Sequence, residues 1–267
     1  MPLVENLVLV FVAGLITALA TGLGALPFFV VDDFSDRWNV TLWGLASGIM
    51  VAASVFGLLR EGLAYGSPVL LVPGMAAGVA LVVVGHRLVD GIKHSPKQYE
   101  EADFRKLVLI LGVLTVHSFP EGVAVGVSFG ELGLAEAETV GVLGFGLPVL
   151  AVFMTVAISI HNVPEGVAVS IPLRSLHVSE WRMVWWAVFS SLPQPIGAVV
   201  AFYFVSLAKE FLPLGFGFAA GAMIYLVATE FVPEALEYGA DLPGKGRREL
   251  VVGALVGVLI MIPLAFV

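Results

Sequence analysis

Apolar residues run along this chain in eight long blocks, at about 4–31, 40–59, 68–86, 107–128, 141–172, 183–207, 211–236 and 250–266. Short polar connections separate them. A helix needs roughly 17–25 apolar residues to cross a bilayer, and these blocks have that length without the alternation of barrel strands. The longest leave room for a tilt, a break or an interfacial turn. The pattern predicts an all-α integral membrane protein with eight transmembrane helices, forming one domain over residues 1–267. The first block contains Ala18-Leu19-Ala20, which has the shape of a signal-peptide cleavage site. Its start carries Glu5 and no basic residue, which is wrong for a leader, so it is expected to stay as a mature helix.

Composition agrees with the pattern. Hydrophobic residues make up 59% of the chain and charged ones 13%, against roughly a quarter charged in soluble domains. The mean hydropathy of +1.00 is too high for a water-soluble globule. The formal net charge of −8 adds little, because the placement of Lys and Arg is what orients a membrane protein. With no cysteine, any metal must be held by nitrogen, oxygen or thioether. The expected partners are a lipid bilayer and a small cation, with no nucleic acid.

Basic residues fall unevenly among the connections. Arg37, the group Arg87, Lys93, Lys97, Arg105 and Lys106, the pair Arg174 and Arg182, and the trio Lys245, Arg247 and Arg248 occupy the odd connections. The even ones hold only Arg60 and Lys209. The odd connections are therefore expected in the cytoplasm and both termini outside. The loop at about 87–106, with His94, reads as a solvated cytosolic segment.

Within this apolar background one motif is written twice. His117-Ser118-Phe119-Pro120-Glu121-Gly122-Val123-Ala124-Val125 lies in the fourth block, and His161-Asn162-Val163-Pro164-Glu165-Gly166-Val167-Ala168-Val169 in the fifth. Windows 117–128 and 161–172 agree at seven positions. On a helix, residues four apart share a face, so each copy presents an imidazole and a carboxylate in one direction. Consecutive membrane helices run oppositely, so the copies are antiparallel, as in an inverted-repeat transporter with a midplane site.

Depth follows from the basic residues. Met50, His117, His161 and Gln194 each lie 12 or 13 residues from a cytosolic arginine. At 1.5 Å per residue that is about 18–20 Å, near the bilayer centre. Titratable groups there cost several kcal/mol unless paired or facing water. A His–Glu clasp between helices is one account; a divalent metal held by all four groups is the other. Pro120 and Pro164 free the carbonyls of Val116 and Ile160, each one residue before a histidine.

These motifs resemble those of the Zrt/Irt-like (ZIP) family of divalent metal transporters, most closely its prokaryotic branch. Gly48-Ile49-Met50-Val51-Ala52-Ala53-Ser54 and Ala219-Ala220-Gly221-Ala222-Met223-Ile224-Tyr225, with Glu230 and Pro233-Glu234, add to the likeness. The resemblance implies a 3+2+3 helix bundle that imports Zn(II), or Fe(II), Mn(II), Co(II) or Cd(II), across the cell membrane, commonly as a homodimer. The metal is cargo, not a resident cofactor, and no enzymatic activity is implied. It also implies a principal site of His117, Glu121, His161 and Glu165, with Met50 lending its thioether, and an elevator-like mechanism.

A second, adjacent metal in some relatives uses the residue after each histidine and a glutamate in the sixth helix. Here those positions are Ser118, Asn162 and Gln194, which are weak ligands for a borderline-soft dication. One metal is therefore expected, with Gln194 hydrogen-bonded to the glutamates. Glu230 reads as an exit-side relay and Glu234 as helix-end solvation. No role is expected for His86, His94 or His177. Glu61 and the cluster Asp32, Asp33 and Asp36 read as solvated loop charges. A membrane-embedded metalloenzyme is the alternative; the absence of His-Glu-x-x-His speaks against it. A metal sensor is a further alternative, and it would require a signalling domain.

Overall fold

The structure, a computed structural model, describes residues 3–31, 34–65, 68–91, 117–132, 138–142, 144–175 and 177–264. Expectations for Asp32, Asp33, Lys93, His94, Lys97, Arg105, Lys106 and Val116, and for the start of the fourth block, lie outside these residues. The described chain is nearly all helix. It comprises α1 (Leu3–Leu23), α2 (Asp36–Ala64), α3 (Pro68–Gly91), α4 (117–128), α5 (Val149–Ser175), α6 (Glu180–Leu207), α7 (Lys209–Tyr238) and α8 (Arg247–Leu264). Six segments among the described residues, in α1–α3 and α5–α7, are long and apolar enough to cross a membrane.

The fifth and sixth blocks are not continuous helices. The run expected as helix from 141 starts as an antiparallel hairpin of β1 (Thr139–Val142) and β2 (Phe145–Pro148), and α5 begins only at Val149. Gly141, Gly144 and Gly146 weaken helix there, and Gly144 turns the hairpin at φ +86. α6 is interrupted at Ser191-Leu192 and restarts on Pro193, a residue suited to a helix start.

α4 lies at the centre: nearly every residue from 117 to 128 is buried. The outer helices carry apolar faces outward, including Val4, Val8, Phe11, Val251, Leu255 and Leu259. Trp38 and Trp181, beside Arg37 and Arg182, are exposed at helix starts, where aromatic rings suit a membrane interface.

Small residues let backbones touch. Gly44 and Gly48 of α2 meet the α8 backbone at Leu250 and Ala254, while Gly74 and Gly78 of α3 meet the α7 backbone at Leu214 and Phe218. In both pairs the contacts advance together along the two chains, so α2 runs parallel to α8 and α3 parallel to α7. Small-x-x-x-small rows of this kind bring membrane helices together where no hydrophobic drive exists between them.

Candidate metal centre

The glycine after each motif glutamate seats that glutamate's helix against a neighbour. A side chain at Gly122 would run into the backbone of Gln194 in α6, and one at Gly166 into the carbonyl of Thr21 in α1. These close approaches leave α4 and α5 facing each other across a sealed interior. Glu121, His161 and Glu165 are each at most 1% exposed, and their ligand atoms lie within 4.8 Å of one another.

Most of their ligand atoms lack hydrogen bonds. Both nitrogens of His161, both oxygens of Glu165 and Oε1 of Glu121 lack hydrogen bonds. His161 Nε2 lies 3.3 Å from Glu121 Oε1, outside hydrogen-bonding geometry. That separation is the edge of a tetrahedron whose centre stands about 2.0–2.1 Å from each ligand, the geometry of bound zinc. Buried polar groups left unpaired cost about 1–3 kcal/mol each, and the donor set of one imidazole and two carboxylates is one that could hold a cation.

An amide chain holds the other carboxylate oxygen. Asn162 Nδ2 donates to the Thr17 carbonyl at 2.7 Å and to Gln194 Oε1 at 3.0 Å, and Gln194 Nε2 donates to Glu121 Oε2 at 2.5 Å. A carbonyl only accepts, so Thr17 fixes the orientation of Asn162, and Asn162 fixes that of Gln194. Glu121 Oε2 is left as the acceptor at the end of this chain. Asn162 therefore works through its amide nitrogen, and its Oδ1 is buried without a partner. Ser118 donates to the Ser190 carbonyl at 3.0 Å, which ties α4 to the break in α6. Thr21 and Ser191 share a hydroxyl contact of 2.7 Å at the same break.

His117 is also buried, but its ring looks elsewhere. Its Nε2 lies 3.3 Å from Nε2 of His86 in α3, whose Nδ1 is 3.2 Å from Glu230 Oε1 in α7. These three residues form a second group with ligand atoms within 4.8 Å of one another. Phe231, fully buried, stacks on His161 with ring centroids 5.5 Å apart and lies 6.1 Å from the His117 ring. A π-helical turn over Val227–Phe231 sets both Glu230 and Phe231. Pro233 has no amide hydrogen to offer the carbonyl of Thr229, which favours such a turn.

Met50 is buried in the same apolar cluster as Phe231. Glu61 and Glu131 flank Tyr65, which donates to Glu131 and ties the end of α2 to the residues after α4. Burial and Glu131 together hold the Tyr65 phenol above its ordinary range. His177 lies exposed in a turn with positive φ, and Asp36 sits in the first turn of α2. His86 is the functional candidate that the sequence did not single out. Its position next to Arg87 reads as a helix end, whereas α3 continues to Gly91.

Residues 146–265 match the ZIP zinc transporter family. The zinc transporter GufA of Myxococcus xanthus is 29% identical over 95% of this chain and 96% of its own length. Zinc transporter ZIPB of Bordetella bronchiseptica is 33% identical over 83% of this chain and 71% of its own. Zinc transporter ZupT of Corynebacterium aurimucosum is 30% identical, with 84% and 86% covered. A longer relative from Arabidopsis thaliana is 40% identical over 82% of this chain, which spans 33% of that relative's length.

Proposed function

The chain belongs to the ZIP zinc transporter family, and we propose that it carries Zn(II) inward across the cell membrane through the site on α4 and α5. One observation carries this reading: three titratable groups from two helices converge in a buried interior with five ligand atoms lacking hydrogen bonds. Neutralising that arrangement calls for a dication. Fe(II), Mn(II), Co(II) and Cd(II) suit the same donors, since ligand type alone does not select among them.

The binding chemistry follows from the residues. Glu121, His161 and Glu165 supply the primary ligands, with His117 and the thioether of Met50 completing the shell as the site changes state. Gln194 and Asn162 orient Glu121 and neither adds charge, so this site holds one cation. Two tightly bound metals about 3.5–4 Å apart would contradict that. Ser118 serves α4–α6 packing, and Glu230 receives the cation beyond the site.

The proposal includes eight transmembrane helices with both termini outside, assembled around an inverted repeat. α4 and α5 move with their cargo past a frame of the remaining helices, in an elevator-like alternation of access. A homodimer is the proposed assembly. The test is radioactive zinc uptake into proteoliposomes. The wild-type chain is expected to accumulate label, whereas His117→Ala and Glu165→Ala are expected to fall to background with expression intact. Unchanged uptake in both variants would overturn the site.

A further inference from the structure

α1 and α5 are pressed together at one end and held apart at the other. They run parallel: Asn162 of α5 reaches the Thr17 carbonyl, and further along both helices Gly24 meets the α5 backbone at Val163 and Gly166. Toward the start of α1 the small residues give way to Val8, Val12 and Ile16, across from Val152 and Val156 of α5. Side chains of that bulk keep the two backbones from touching. The result is a groove of about 720 Å³, to which Phe129, just after α4, and the β1–β2 hairpin also contribute.

Its dimensions select an occupant. The α1 wall runs from Val4 to Ile16, about 18 Å at 1.5 Å per residue, close to half of a hydrocarbon core about 30 Å thick. Its inner end lies one residue from Thr17, which is level with Asn162 and so with the metal centre. The groove therefore traverses one leaflet, the outer one in the proposed orientation. A volume of about 720 Å³ over that length leaves a mean cross-section of about 40 Å², whereas a helix about 10–12 Å across needs roughly 80–110 Å². A helix of a second copy is too wide for it, and an extended acyl chain fits.

Its chemistry agrees. Val8, Val12, Ile16 and Val156 are exposed, and Thr155 donates its hydroxyl to the Ala151 carbonyl at 2.7 Å. The walls thus offer hydrocarbon rather than hydrogen bonds. Glu5 is the only charged residue of the lining, and it stands exposed at the head-group end. A carboxylate there favours a lipid whose head carries an ammonium and disfavours one of net negative charge. We propose that this groove is a phospholipid site, holding an acyl chain of an aminophospholipid whose ammonium pairs with Glu5. The occupant supplies the contacts that the splayed pair lacks on this side, and so steadies α5, which carries His161 and Glu165.

Native mass spectrometry of the purified full chain, delipidated and offered equal phosphatidylethanolamine and phosphatidylglycerol, tests this. The wild type is expected to retain one phosphatidylethanolamine, preferred about threefold to fivefold, the upper range that an exposed ion pair supplies. Glu5→Gln is expected to keep lipid binding and lose the preference. Val12→Trp, which fills the groove, is expected to lose the bound lipid while its zinc titration stays that of the wild type. If Val12→Trp does not fold, Val156→Trp blocks the groove from the opposite wall. Equal retention of the two lipids by the wild type, or lipid retained by both tryptophan variants, overturns the site. A dimer that either tryptophan variant converts to monomer overturns it too, by assigning the groove to a second copy. Lipid is counted without zinc uptake, so failure of this site and failure of the transport reading are told apart.

Discussion

The two copies of the motif agree at seven of twelve positions, yet their histidines keep different company. His161 of α5 lies against Glu121 and Glu165 in a cluster at most 1% exposed. In α4, Glu121 joins that cluster while His117 turns toward His86 and Glu230. Local geometry is the same in both, since each helix presents its histidine and glutamate one turn apart. The neighbours differ. α5 is seated on α1 through Gly166 and Thr21, whereas α4 is seated on α6 through Gly122 and Gln194 and reaches α3 with its histidine. A repeated motif thus specifies which groups are offered, and the surrounding helices decide what each group meets.

This contrast can be broken most forcefully at the ligands. Glu165→Ala is expected to weaken tight zinc binding by at least about 100-fold, beyond the usual range for outer-shell losses. His117→Ala should weaken it by less than about tenfold, even though both variants lose flux. Equal losses in an equilibrium titration would erase the distinction between the copies.

The next effect concerns the seats. Gly166→Ala and Gly122→Ala each drive a methyl group into a neighbouring backbone. Each is expected to cost about 1–3 kcal/mol, the usual penalty for overpacking, seen as a lower midpoint in detergent thermal unfolding. Gly141→Ala in the hairpin, with nothing within 4 Å, serves as the comparison and should leave the midpoint unchanged.

Smaller effects would sharpen the role of the amide chain. Gln194→Leu leaves Glu121 Oε2 without its donor, a loss of about 1–3 kcal/mol, and should reduce zinc affinity roughly tenfold. Asn162→Ala removes only the anchor to Thr17 and Gln194, worth about 1 kcal/mol, with an expected loss of about fivefold. A larger effect from Asn162→Ala than from Gln194→Leu would point to Asn162 as a direct ligand.

Much of this site was legible because its signals are local. The His–Glu spacing of four, the glycine after each glutamate and the amide at Gln194 can all be read within a few residues. His86 was not legible. It stands alone beside Arg87, and only the parallel register of α3 with α7 brings it to Glu230. The hairpin before α5 was missed for a different reason. Val140, Val142, Phe145 and Leu147 continue an apolar run, and in such a run helix and strand look alike without close attention to the glycines.

The sequence alone determined that this chain is a bundle of apolar helices carrying a doubled His/Glu motif. Those features follow from the hydrocarbon, which excludes unpaired backbone and tolerates titratable groups only where they are used. Tertiary structure alone decided that Glu121 clusters with His161 and Glu165, while His117 turns to His86. That choice depends on backbone approaches at Gly78, Gly122 and Gly166 and on the π-helical turn over Val227–Phe231. Each is a relation between segments distant in sequence, so no single stretch of the chain contains it.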